Sequence, residues 1–322
     1  MSSGRGTVSS DRGSDAPAGA AVLTVTMNPA LDHTITVAEP LREGEVARTD
    51  DAKFDAGGKG INVSQYLTAL GIDAPATGFL GGPFGQMIGE TLDEEGVARD
   101  FVEIDGRTRL NTTVLSPDGE YKINHDGPIV ETGDVDALVE RVRDREPERL
   151  VVAGSLPRGI DADAVDRLAG AGPWETAVDM GGSFLGRFDG SYLVCKPNRA
   201  ELAEATGRDV ETIEDAASAA AELRERGYRY VLASLGPEGA LLVSESEALH
   251  APALPVDVVD TVGAGDALLS GFLAGLARGD STADALRIAV AVAARVVSVS
   301  GTSVPPFEDL FERSERIEIR HA

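Results

Sequence analysis

Short apolar, β-branched runs alternate along this chain with longer stretches whose apolar positions recur every three or four residues. Val22–Met27 opens the pattern as a strand, and Ile61–Leu70, closed by Gly71, reads as an amphipathic helix. Leu150–Ala153, Ala177–Asp179, Tyr192–Cys195, Tyr230–Ala233 and Ala240–Val243 are strands of the same kind. Asp134–Arg145, Asp161–Ala169 and Ile213–Arg226 are the helical stretches between them, and alanine-rich Ala267–Arg278 and Ala283–Val297 predict two closing helices. The alternation predicts an α/β fold: a three-layer α/β/α, doubly wound, mostly parallel sheet. Ligands of such a sheet bind beyond the carboxyl ends of its strands.

Two segments depart from the pattern. Thr34–Val37 with Glu45–Thr49, and Thr108–Leu115 with Glu120–Asn124, read as strands without helices between them; Ser116-Pro-Asp-Gly119 is a turn signal joining the second pair. A small β-element of this kind, spanning about residues 33–54 and 104–126, predicts a lid over the α/β body; two surface hairpins are the simpler alternative. Residues 1–20 are Ser-, Gly-, Ala- and Asp-rich without apolar periodicity and read as a disordered tail, leaving 21–322 as one folded unit. The start lacks the apolar segment of a secretory signal, and no apolar run is long enough to span a bilayer. The single cysteine, Cys195, excludes an intrachain disulfide and reads as a buried strand residue; the expected location is cytoplasmic.

Charge narrows the function. With 54 acidic against 29 basic residues the formal net charge is −25, which argues against nucleic-acid binding, a task that needs Lys and Arg to neutralise phosphates. Among the basic residues only four are lysine, Lys53, Lys59, Lys122 and Lys196, and 25 are arginine. Carboxylate excess with lysine nearly absent resembles proteins of salt-loving organisms, where salt screens the self-repulsion. Each surviving lysine then calls for a reason.

Candidate chemistry centres on Asp260-Thr-Val-Gly-Ala-Gly-Asp-Ala-Leu-Leu-Ser-Gly271. A dinucleotide fingerprint fails here because Leu268 stands where a third glycine is needed, and a P-loop fails because no Lys-Ser/Thr follows the glycines. A third reading takes Val256–Val259 as a strand, then a turn, then a helix starting near Gly265. Free amides at that helix start, backed by its dipole, form an anion hole. Asp266 taken alone is a favourable first-turn acid; beside a phosphoryl group in transfer, it can also accept the proton of an attacking hydroxyl.

This stretch resembles the C-terminal signature of the ribokinase-like (PfkB) family of carbohydrate kinases. Thr26-Met-Asn-Pro-Ala-Leu-Asp32, Ala56-Gly-Gly-Lys-Gly-Ile-Asn62, Ala153-Gly-Ser-Leu-Pro157, Lys196-Pro-Asn198 with Glu201, and Ser234-Leu-Gly-Pro-Glu-Gly239 follow the family order. The resemblance covers essentially all of residues 21–322 and is nearest to the members that act on ketohexose phosphates. It implies a ribokinase-like fold and transfer of the γ-phosphoryl of ATP to the 6-hydroxyl of fructose 1-phosphate. Tagatose 6-phosphate and fructose 6-phosphate are the alternative acceptors. A non-catalytic sugar-phosphate sensor is the rival class, against which the retention of Asp266, both glycines and Glu201 speaks.

By resemblance Asp266 is the catalytic base, and Gly263, Ala264 and Gly265 supply the anion hole. Asp32 and Asn62 contact sugar hydroxyls beside Gly57 and Gly58. Lys59, Arg109 and Ser155 hold the substrate's own phosphate, with Arg109 on the lid. Lys196, Asn198, Ser234, Gly236, Gly239 and Thr261 face the nucleotide, and Glu201 helps hold Mg²⁺ through water. For several of these a structural role competes: a strand-end turn for Asp32, a turn cap for Ser155, a first-turn helix acid for Glu201, and a hairpin for Ser234 to Gly239. The implied partners are a small sugar phosphate and a second copy of the chain, joined through the β-lid in a homodimer; no nucleic acid or membrane is expected.

Overall fold

In the computed structural model, which describes residues 20–299 and 304–322, β1 (Val22–Thr26) is fully buried and sits inside the main sheet. The chain continues through β2 (Ala30–Thr36), β3 (Ala52–Gly57), α1 (Lys59–Ala69), β4 (Ala76–Leu80), α2 (Gly82–Glu94), β5 (Val102–Glu103), β6 (Arg109–Ser116) and β7 (Gly119–Asn124). Next come α3 (Thr132–Arg145), β8 (Arg149–Ala153), α4 (Ala162–Ala169), β9 (Glu175–Asp179), α5 (Gly182–Leu185), β10 (Tyr192–Cys195), α6 (Arg199–Thr206) and α7 (Ile213–Arg224). The last part comprises β11 (Tyr228–Ser234), β12 (Ala240–Val243), β13 (Ala248–Ala251), α8 (Ala264–Arg278), α9 (Thr282–Val296), α10 (Leu310–Ser314) and β14 (Arg320–His321).

Ten strands form the main sheet in the order β14-β13-β12-β11-β10-β9-β8-β1-β4-β5. Every pairing from β5 to β11 is parallel, and β12, β13 and β14 close one edge antiparallel. Successive side chains of a strand point to opposite faces, so each strand feeds two cores. In β8, Leu150 and Val152 enter the layer shared with α3, α4, α6 and α7, while Val151 and Ala153 enter the layer shared with α1, α8 and α9. This is the predicted three-layer α/β/α architecture. Cys195 lies fully buried in β10, as expected. Residues 1–19 of the expected tail lie outside the described residues, and Ala20 is buried. No helix among the described residues is long and apolar enough to cross a membrane.

The two unusual strand pairs are one sheet. β2 pairs antiparallel with β3 and parallel with β6, which pairs antiparallel with β7, giving the order β3-β2-β6-β7. The expected strand Glu45–Thr49 is absent, since this segment is exposed and irregular; Ala52–Gly57 takes its place beside β2. The expected strand Val256–Val259 is also absent. Its valines do not pair in a sheet; Val258 and Val259 are 62% and 61% exposed. The small sheet is anchored by Leu31 and Ala56, which pack with Leu80, Ile88 and Leu92 over α2.

Candidate functional site

Gly263 caps α8 with φ of 76°, a conformation that glycine adopts without strain. A Cβ at Gly263 would stand 2.5 Å from the Tyr66 hydroxyl, so the close approach also requires glycine. The amides of the first turn have no carbonyl behind them within the helix and carry the positive end of its dipole. Asp266 lies in this turn, buried, and its Oδ2 accepts a hydrogen bond from Asn62 Nδ2 of α1 at 2.7 Å. Burial pushes the Asp266 carboxyl up to about 7. The charge of Asp179 adds to the rise, while Asn62, Lys196 and Lys59 oppose it. An aspartate poised there can exchange a proton near neutral pH.

Asp179, at the carboxyl end of β9, organises the centre. It is fully buried; its Oδ1 accepts from Lys59 Nζ at 2.9 Å, and its Oδ2 lies 3.4 Å from Lys196 Nζ. Lys59 starts α1 and Lys196 follows β10, so three elements bring two of the four lysines to one carboxylate. Burial draws the Lys59 ammonium down, but the charge and hydrogen bond of Asp179, with Asp266 and Glu201 nearby, hold it above its ordinary value. A Cβ on Gly265 would lie 2.9 Å from Lys196 Nζ, so the second glycine leaves the ammonium its place beside the helix start. Asp179 was legible in the sequence only as a strand end.

A cavity of about 1170 Å³ opens beside this centre. Its wall includes Lys59, Lys196, Asn198, Ser234, Gly236, Gly239, Thr261, Gly263, Ala264, Gly265 and Asp266. All six residues expected to face a nucleotide therefore meet in one cavity, together with the expected anion hole. Gly236 to Gly239 form a tight turn that links β11 to β12. Apolar Leu254, Val256, Val258, Leu268, Val290 and Val297 line another part of the wall. Two of the three valines that the sequence pattern assigned to a strand, Val256 and Val258, thus furnish the cavity.

Asn198 and Glu201 form a reciprocal capping box at the start of α6: Glu201 N–H donates to Asn198 Oδ1, and Asn198 N–H donates to Glu201 Oε2, both at 2.9 Å. The helix-acid role weighed for Glu201 is thus present in the fold. Among the described residues, no group of three or more His, Cys, Asp or Glu side chains could hold a metal ion.

The small sheet meets this centre from the other side. Asp32, in the middle of β2 rather than at a strand end, accepts from Asn111 Nδ2 at 2.9 Å; burial raises its carboxyl against the pull of Asn111 and Arg109. A Cβ on Gly57 would collide with Asp32 Oδ2, and Gly58 turns the chain into α1 with φ of 130°. Arg109 of β6 donates from Nε and Nη2 to the carbonyl of buried Asn28, at 3.2 and 3.0 Å. Asn28 Nδ2 in turn donates to Ser155 Oγ at 3.1 Å, tying β1 to the turn after β8. Arg109 borders a second cavity of about 500 Å³. Lys59 and Arg109, assigned by sequence to a single phosphate, therefore line different cavities.

Residues 25–309 match the pfkB family carbohydrate kinase profile. The chain belongs to the pfkB family of carbohydrate kinases. It is 59% identical over 298 residues, 92% of this chain and 98% of the relative, to 1-phosphofructokinase of Haloferax volcanii. The crystal structure of phosphofructokinase-2 from Escherichia coli in complex with fructose-6-phosphate superposes with a TM-score of 0.83 at 27% identity, covering 92% of this chain and 98% of that one. Arabidopsis thaliana ribokinase complexed with ribose and ATP gives 0.77 at 25% identity, covering 92% and 99%. A pfkB kinase moves a phosphoryl group from ATP to a sugar hydroxyl, and the pattern of motifs read from the sequence is that of this family.

Proposed function

We propose that this pfkB kinase transfers the γ-phosphoryl group of ATP to the 6-hydroxyl of fructose 1-phosphate, giving fructose 1,6-bisphosphate and ADP. For the acceptor, the support is the near full-length 59% identity to a 1-phosphofructokinase. For the chemistry, the carrying observation is buried Asp266 at the start of α8, with the large cavity beside it and two lysines opposite. Asp266 takes the proton of the sugar hydroxyl as its oxygen bonds to the γ-phosphorus and the bridge to ADP breaks. Amides of Gly263, Ala264 and Gly265 face charge on the transferring group. Lys59 and Lys196 hold phosphate oxygens across from the base, with Asp179 placing both ammonium groups. Asp32 and Asn62 bind sugar hydroxyls, and Ser155 and Arg109 border the sugar phosphate. Asn198, Ser234, Gly236, Gly239 and Thr261 surround the nucleotide.

Mg²⁺ fits the donor set: Asp179 Oδ2 is a buried acceptor without a hydrogen bond, and Glu201 is close enough to act on Lys59. Two carboxylates with the phosphates of ATP suit an ion that keeps several waters, and when bound it offsets charge on the phosphates. An ADP-release assay across ketohexose phosphates tests the assignment. The highest kcat/KM is expected with fructose 1-phosphate; a clear preference for fructose 6-phosphate or tagatose 6-phosphate overturns it.

For assembly, we propose a homodimer through the small sheet. Its register puts Asp32, Asn111, Asp55 and Asn124 on one face and Ile35, Val114, Tyr121, Thr112, Ile123, His33 and Phe54 on the other. The apolar face is open: Phe54, stacked on His33 at 4.4 Å, is 45% exposed and Ile123 59%. A second copy would cover it.

A further inference from the structure

The smaller cavity, about 500 Å³, is lined by three arginines, Arg107, Arg109 and Arg158, with Asn124, His125 and Asp126. In a chain of net charge −25, three arginines gathered around a cavity with one carboxylate in its lining are unusual. Many arginines elsewhere find carboxylates: Arg141 and Arg145 share Asp100, and Arg229 reaches Glu175. None of the three cavity arginines forms an ion pair among the described residues. Arg109 spends its donors on the Asn28 carbonyl, and Arg158 Nη2 donates to the Gly127 carbonyl at 3.1 Å. Asp126 lines the same cavity without pairing to them. Burial also pulls the Arg109 guanidinium below its ordinary value, with the charge of Asp32 opposing.

The cavity is wired to the kinase centre. Arg109 holds Asn28, Asn28 holds Ser155, and a Cβ on neighbouring Gly154 would stand 3.9 Å from Lys59, which is bound to Asp179. A sugar lying along Asp32 and Asn62 would have its accepting hydroxyl at Asp266 and its other end toward these arginines.

We infer that Arg107 and Arg158, together with Arg109, hold the phosphate that the sugar already carries, and that Lys59 serves the transferring phosphoryl group instead. This rests on the proposed acceptor being a phosphorylated sugar. Guanidinium groups suit a phosphate because each offers paired N–H donors in one plane. Arg107 and Arg158 thereby set the preference for a phosphorylated over a free sugar.

The test uses the full-length chain with Arg107→Gln, Arg158→Gln and the double variant, folding being checked by circular dichroism and thermal melting. Each single variant is expected to raise the KM for fructose 1-phosphate by about tenfold to a hundredfold, leaving the KM for ATP within about twofold. Inorganic phosphate should inhibit the wild type competitively against the sugar phosphate, and the double variant should lose that inhibition. Folded variants with an unchanged sugar-phosphate KM, or with ATP KM rising in step, overturn the inference. Failure of the acceptor assignment looks different, since it appears in the wild type. If another ketohexose phosphate is preferred, the same variants are measured with that acceptor; if only unphosphorylated sugars react, the inference falls with it.

Discussion

Replacing Asp266 by Asn separates two consequences of one buried carboxylate. Asparagine keeps the shape and can still accept from Asn62 Nδ2, now 2.7 Å from the carboxylate oxygen, but it cannot take a proton. Loss of a general base lowers turnover by ~10²–10⁴-fold. The stability effect has the opposite sign. Burial raises the Asp266 pKa from 3.8 to about 7, so the folded chain holds a proton that the unfolded chain has released between those values. Wild-type stability therefore falls as pH climbs through this window, and the cost above it is on the order of 4 kcal/mol. The asparagine chain does not titrate there. Its melting temperature relative to wild type should rise from pH 5 to pH 8 by several degrees while its turnover stays low. In the wild type, kcat/KM should rise as pH passes through about 7, because the charged carboxylate is the active form. Turnover near wild type in a folded Asp266→Asn chain, or a melting difference that does not widen with pH, would refute the argument.

Three further outcomes follow from the same geometry. Asp179→Asn leaves two lysines facing a neutral group, one of them buried, and should destabilise the fold by about 3–5 kcal/mol in chemical denaturation. It also removes the negative neighbour that helps raise Asp266, so the acid limb of the pH–rate profile should move below that of wild type. Gly265→Ala puts a methyl 2.9 Å from the end of the Lys196 side chain, which can swing aside; titration should show ATP affinity falling by about tenfold with melting little changed. Light scattering should find a dimer at molar salt, where the screening length is ~3 Å, and dissociation with loss of activity on dilution, since each copy carries −25; a fully active monomer at high salt, or full activity in dilute buffer, would count against it.

The sheet was legible because its central strands are buried on both faces and read as unbroken apolar runs, as in Leu150–Ala153. The lid was harder. Ala52–Gly57 reads Ala-Lys-Phe-Asp-Ala-Gly, which has little β-propensity, and becomes a strand because β2 offers it a ladder. Val256–Val259 misleads for the converse reason: Val256 and Val258 are apolar because they border the large cavity, and a local pattern cannot tell a ligand wall from a sheet interior. The Gly-rich motifs marked one wall of the large cavity, since glycine is demanded by close approach at Gly263 and Gly265. Asp179 carried no signal, because the lysines that define it lie 120 and 17 positions away in sequence.

The scarcity of lysine singled out the two residues that meet at that carboxylate. Lys53 and Lys122 lie on the small sheet and pair with Asp55 and Glu120, more than half exposed. Lys59 and Lys196 converge on Asp179 instead. An acidic chain that must attract phosphates cannot do so with its long-range field, which repels them and is screened by salt. Attraction has to be local, from cations held inside clefts where water and salt screen them less. Lys59 and Lys196 in the larger cavity and half-buried Arg109 in the smaller one are cations of that kind. Asp179 and Asp266 balance the two lysines before ligand arrives, so the resting site has little net charge to stabilise. Burial, helped by the charge of Asp179, raises Asp266 toward neutral pH, and Asn62 with the two lysines opposes the rise. A phosphate drawing on the lysines would weaken their hold on Asp266, favouring its protonated form as the proton must be taken from the sugar.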